Sequence, residues 1–78
     1  MNMLKFEILG TGCKKCHQLE ANVQEAIATL GLDAEVIHIT DTIEIAKRSI
    51  MTTPALAING KVVSKGQVLA ADQIQKLL

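Results

Sequence analysis

Seventy-eight residues leave room for one domain, residues 1–78, near the lower end of what folds alone, where about 60% of the unfolded chain's surface can be buried. Eight basic and eight acidic residues cancel, and no run of like charge exceeds two, so nothing marks a nucleic-acid or acidic-membrane footprint. Phe6 is the only aromatic residue, which removes the stacking surface that single-stranded nucleic acid requires and leaves the core to Ile, Leu, Val, Met and Ala.

The opening MNMLKFEILG carries one lysine and no apolar run of signal-peptide length, and no segment approaches the roughly 18 apolar residues of a membrane span. A cytoplasmic protein without membrane partners is therefore expected, and in a reducing compartment two close cysteines are more often catalytic or metal-binding than a structural staple. Met3 to Leu9 is apolar-rich and bounded by Gly10 and Gly12, which reads as a strand entering a turn. From Cys16 the apolar residues fall at Leu19, Val23, Ala26, Ile27 and Leu30, the three- and four-residue steps of an amphipathic helix ended by Gly31.

AEVIHI, Ala34 to Ile39, is a second β-branched run. In DTIEIAKRSIM, Asp41 is the expected N-cap with Glu44 completing a capping box, and Ile43, Ala46 and Ile50 are expected on one buried face. Pro54 lies outside that helix, because the residue before a proline is pushed from the helical region. ALAING and KVVS form two short strands joined by Asn59-Gly60, a pair that tolerates positive φ and so signals a tight hairpin. VLAADQIQKLL is a closing helix offering Leu69, Ile74, Leu77 and Leu78 to the core. The order β-α-β-α-β-β-α predicts an α/β domain with two parallel strands joined by a crossover helix, an antiparallel hairpin, and a four-stranded mixed sheet flanked by helices.

The chemistry concentrates in GTGCKKCHQLE, Gly10 to Glu20, which holds both cysteines. A disulfide exchanger needs one ionised, accessible thiol and a second close enough to displace the partner from the mixed disulfide. Cys13 falls at the start of the helix, where unpaired N–H groups and the dipole favour an anion, and Cys16 begins the apolar stripe and should face inward. Lys14 and Lys15 add positive charge that lowers a thiol's pKa from its ordinary ~8.5, unless solvent screens them. Cys13 is thus the expected nucleophile and Cys16 the resolving thiol.

Two other chemistries share the spacing. CKKCH matches the c-type haem attachment pattern with His17 as axial ligand, although attachment generally follows export. A C-x-x-C at a helix start also suits a soft-metal carrier for Cu or Zn. A four-ligand zinc site from Cys13, Cys16, His17 and His38 requires His38, in the second strand, to reach the loop. The simpler expectation makes His38 a strand residue and His17 an exposed helix-face residue near Glu20.

C-x-x-C after the first strand, followed by TTPALAING some forty residues later, resembles the thioredoxin and glutaredoxin superfamily over essentially the whole chain. It looks most like the small thioredoxin-like redox-active disulfide proteins of archaea and bacteria. The resemblance implies a thioredoxin-like fold and a thiol–disulfide oxidoreductase that needs no bound cofactor beyond the Cys13–Cys16 disulfide. It implies disulfide-containing protein or small-molecule substrates and a thiol/disulfide reductase as partners. It further implies a cis Thr53–Pro54 bond, substrate positioning by Thr53 and Pro54, and a proline that screens the dithiol from metal.

The sequence departs from thioredoxin in having Gly12 where a Trp precedes the first cysteine, and Lys14-Lys15 where Gly-Pro separates the two. Glu7 matches the position of thioredoxin's buried acid, which assigns it proton transfer from Cys16. As an unpaired glutamate it is otherwise expected to be a solvated strand residue. Gly66, after VVSK, either ends its strand or lets the chain bend beside the site.

Overall fold

Alternation along the first strand decides the layering. A computed structural model describes residues 4–12 and 14–78. Strand β1 (Leu4–Leu9) sends Phe6 and Ile8 into one buried cluster and Leu9 into another, so it is covered on both faces. Its neighbours are β2 (Ala34–Ile39), parallel to it with Phe6 opposite Val36, and β3 (Ala55–Ile58), antiparallel with Phe6 opposite Ile58. β4 (Lys61–Lys65) pairs antiparallel with β3. Among the described residues the sheet order is β2-β1-β3-β4, the mixed arrangement expected from the sequence.

Helix α1 (Lys14–Leu30) is the crossover between β1 and β2. Cys16, Leu19, Val23 and Ala26 form its buried stripe, and the last three pack with Phe6, Ile8, Leu56 and Ile74 in the main core. Each of the larger side chains, fully buried, contributes about 1.5–3 kcal/mol. Leu30, expected on the stripe, lies past its end and is 44% exposed. Asn22 crosses from α1 to donate from Nδ2 to the Leu69 carbonyl at 2.8 Å, satisfying a loop acceptor before α3 (Ala71–Lys76). That helix begins where the Ala70 N–H donates to Gln73 Oε1 at 2.9 Å. Ile74 is fully buried, but Leu77 and Leu78, expected in the core, are 48% and 40% exposed because the helix stops at Lys76.

The second face is covered by α2 (Thr42–Lys47), one short helix. Asp41 caps it as expected, accepting from the Ile43 N–H at 2.9 Å. The other half of the capping box is replaced: Glu44 Oε1 lies 3.8 Å from Arg48 Nε, one turn ahead. The expected face is also corrected. Ile43 is 66% exposed and Ala46 is exposed, whereas Ile45 and Ile50 are buried with Leu9, Ala55 and Ala57. The helix ends at Lys47 and Ser49 takes φ +60°, so a helical period carried through Ile50 assigns the wrong face.

The hairpin turn is formed by Asn59 and Gly60 at φ +52° and +84°, the primed geometry that suits twisted strands. Asn59 also locks onto β1: its N–H donates to the Lys5 carbonyl at 2.8 Å, and its Oδ1 accepts from the Lys5 N–H at 2.9 Å. The β3–β4 register shifts between Leu56 and Ala57, leaving Val63 as the extra residue of a bulge.

Burial, not residue type, sets the cost of trimming this chain. Ile8→Val should lower the unfolding free energy by about 1 kcal/mol, while Ile43→Val should change it by less than about 0.5 kcal/mol. Urea unfolding of the two variants checks this; equal losses would contradict the assigned faces.

Candidate active site

The site is built where the end of β1 meets the first turn of α1. Gly10 follows the strand, its N–H donating to the Ile39 carbonyl at 2.9 Å, which extends the β1–β2 pairing by one residue. A Cβ on Gly10 would run into Cys16 Sγ, and would lie 3.6 Å from Cys16 Cβ and 3.7 Å from Pro54 Cα. Gly10 is therefore required for room: strand end, helix start and proline converge on the space its side chain would fill. Cys16 is fully buried there, in the first turn of α1, and Pro54 is fully buried as well. Cys13 lies outside the described residues.

Two further stretches of chain close on Pro54. The Thr53–Pro54 bond is cis, and the Pro54 carbonyl accepts from the Gly66 N–H at 2.8 Å. Gly66 sits at φ +69°, and a Cβ there would stand 2.5 Å from Thr52 Cγ2 and 3.3 Å from Thr52 Cβ. Gly66 thus bends the chain after β4 and gives Thr52 a place to pack. Thr53 is exposed beside it. On the helix side Lys14 and Lys15 are exposed, and the first turn of α1 holds no acidic residue.

Glu7 is 4% exposed. Arg48, just past the end of α2, grips it with two hydrogen bonds, Nη1 to Oε1 at 2.8 Å and Nη2 to Oε2 at 2.7 Å. That bidentate pairing, opposed by burial, holds the Glu7 carboxyl below the usual carboxylate range, and the same pairing raises Arg48 further. The solvated strand residue expected of Glu7 is thus corrected: a buried carboxylate demands a partner, and the chain supplies one from 41 residues away. Beside the pair, Lys5, Glu7, Arg48, Asn59, Gly60 and Val62 line an open depression that includes none of Gly10, Cys16 or Pro54.

His38 reaches α1 from β2. Its Nδ1 lies 3.5 Å from Glu20 Oε1, and its ring meets the exposed His17 edge-on at a centroid distance of 5.9 Å. Glu20 thus faces His38, while His17 is the exposed helix-face residue expected, and His38 Nε2 is buried without a hydrogen-bond partner among the described residues. Among the described residues, which do not include Cys13, no group of three or more His, Cys, Asp or Glu is placed to hold a metal ion.

The model of the Thioredoxin domain matches residues 4–78. The chain is 38% identical to a thioredoxin of Methanothermobacter thermautotrophicus over 97% of its own length and 99% of that protein's. It is also 38% identical to a thioredoxin of Methanocaldococcus jannaschii, over 97% and 87% of the two lengths. It belongs to the thioredoxin domain family.

Solved structures agree on the fold. The thioredoxin-2 described as a component of the malaria parasite protein secretion machinery superposes with a TM-score of 0.71 at 13% identity, covering 97% of this chain and 81% of that one. A second malarial protein gives 0.74 at 12% identity over 97% and 93%. The fold is thioredoxin-like, and membership of the thioredoxin family supports a thiol–disulfide oxidoreductase type of function. Among the described residues no helix is long and apolar enough to cross a membrane.

Of the residues singled out in the sequence, Cys16 and Pro54 both border the space beside Gly10, and Thr53, Lys14 and Lys15, next to them in the chain, are exposed. Glu7 is held by Arg48 and lines the open depression. Three contributors carried no distinct sequence signal as site residues: Gly10 reads only as a turn, Arg48 as a surface cation, and Thr52 as half of a polar pair.

These contacts set two measurable costs. Gly10→Ala should destabilise the fold by about 1–3 kcal/mol, the cost of overpacking, measured by thermal unfolding; a neutral result would contradict the close approach. For Glu7, a carboxyl held below the 4.5 reference adds stability that is fully present above that value and is lost as pH falls through its folded-state pKa. Glu7→Gln should therefore cost about 1–3 kcal/mol at neutral pH, and its stability should fall less steeply than wild type below about pH 4.5. Parallel acid-unfolding curves would refute that assignment.

Proposed function

We propose that the protein is a thiol–disulfide oxidoreductase in which Cys13 is the nucleophile and Cys16 the resolving thiol. The Cys13 thiolate attacks one sulfur of a substrate disulfide, forming a mixed disulfide and expelling the other substrate sulfur as a thiolate. Cys16, once deprotonated, attacks Cys13 Sγ, closing the Cys13–Cys16 disulfide and releasing the second substrate thiol. Two electrons and two protons pass to the substrate, so no bound cofactor is needed. A thiol/disulfide reductase or another dithiol must restore the reduced pair. The substrates are disulfide-bearing proteins or small molecules, and the setting is the cytoplasm.

The observation that carries this reading is the fully buried Cys16 in the first turn of α1, packed where Gly10 and Pro54 converge. A sulfur shielded from solvent on a rigid helix suits a resolving role, because bulk disulfides cannot reach it while a neighbour three residues back can. Lys14 and Lys15 sit where they lower the pKa of a thiol at the helix start. Thr53 and Pro54 border the same point and offer backbone for an extended substrate segment. Glu7 enters as a buried charge held by Arg48; taking the Cys16 proton would cost it that pairing.

The test separates the two sulfurs. Cys13→Ser should abolish reduction of insulin disulfides. Cys16→Ser should trap a mixed disulfide with substrate, visible on non-reducing gels and by mass. Wild-type turnover in both variants would sink the assignment.

A further inference from the structure

Between α2 and Pro54 the chain makes a short exposed ridge whose composition the exchange chemistry leaves unexplained. Ile50 is 5% exposed and packs with Ile45 and Leu9, anchoring the start of the ridge. Met51, the next residue, is 95% exposed, the most open of the large apolar side chains among the described residues. Thr52 then packs its methyl over Gly66, and the Gly66 N–H holds the Pro54 carbonyl. Met51 thus follows a buried residue and precedes one whose methyl lies over Gly66, and its thioether is open to solvent three residues before Pro54.

We propose that Met51 is a specificity-determining contact of the exchange reaction, taking an apolar side chain that flanks the disulfide of an extended polypeptide substrate. The inference rests on the proposed function and names its substrate class. An isolated exposed apolar residue is ordinary on a protein surface; one three residues before Pro54, which borders Gly10 together with the Cys16 sulfur, is open to contact by a segment that reaches that point. Methionine is well suited to such a contact, because its unbranched, polarisable side chain moulds to Leu, Ile, Val or Phe without demanding one shape. Small disulfides without flanking residues gain nothing from it.

Two synthetic peptides test this, each closed by one disulfide and alike except for Leu or Gly on both sides of the cysteines. The observable is the ratio of kcat/KM for the Leu peptide to that for the Gly peptide, in wild type and in Met51→Ser, with bis(hydroxyethyl) disulfide as a third substrate for wild type. Wild type should favour the Leu peptide by about tenfold, the equivalent of burying one to two methylenes, and Met51→Ser should bring the ratio close to one. A wild-type ratio near one, or a ratio that Met51→Ser leaves unchanged, overturns the proposal while exchange with the small disulfide leaves the oxidoreductase reading standing. Failure of wild type on all three substrates removes that reading and this one together. Met51 is exposed, so the variant should fold, and a matching far-ultraviolet circular dichroism spectrum confirms that the ratio reports recognition.

Discussion

The structure turns on a missing side chain. Gly10 has no Cβ, and that single gap lets the end of β1, the first turn of α1 and the segment before β3 touch at one point. Any larger residue would collide with the Cys16 sulfur, so strand end and helix start could not keep this close approach without a shift. The position of α1 along the sheet follows, and with it the burial of Leu19, Val23 and Ala26 on Phe6 and Ile8. The site and the main core are consequently inseparable: the contact that seats a thiol beside a proline also sets the register of the packing beneath it. Gly66 repeats the device on the far side, where Thr52 occupies the space its Cβ would take.

Against this rigid frame, the helix start breaks a local rule. Cations in the first turn oppose the helix dipole, costing about 0.3–1 kcal/mol each when exposed, and α1 opens with Lys14 and Lys15 and no acid to offset them. A stability-optimised helix would carry Asp or Glu there. The same two charges become favourable when an anion sits at the helix end, and a thiolate is such an anion. Local inconsistencies of this kind belong where chemistry is done.

How much of this could be read in advance follows from the range of each interaction. Strands, the crossover, the Asn59-Gly60 turn and the Cys16 stripe depend on neighbours within a few residues, and periodicity and turn chemistry disclose them. The α2 face failed because Ile50, buried as expected, lies past Ser49 at φ +60° and so off the helical period that tied Ile43 and Ala46 to it; within the helix Ile45 faces inward instead. Leu77 and Leu78 failed because a six-residue helix cannot turn every apolar residue inward. Glu7 and Arg48 lie 41 residues apart, and no pattern in either segment names the other. His38 and Glu20 likewise meet only because the parallel β1–β2 pair lays β2 beneath α1.

The two faces of the sheet differ in a way that explains where the charges went. On the α1 and α3 side the covering is broad, and Ser64, opposite Leu56, is the buried polar residue beside an otherwise apolar cluster that holds no buried charge among the described residues. On the other side α2 is too short to roof the sheet: its buried contacts end with Ile45 and Ile50, and an open depression runs over Lys5, Asn59 and Val62. β1 is central, so every second side chain must face that thinner layer. Leu9 falls under α2 and stays apolar; Glu7 falls beyond it. There an apolar residue would lie at the edge of the depression, while a carboxylate clamped by Arg48 closes the layer, ties the end of α2 to the middle of the sheet, and leaves its charge neutralised. The ion pair is thus the second face's substitute for the core that a longer helix would have supplied.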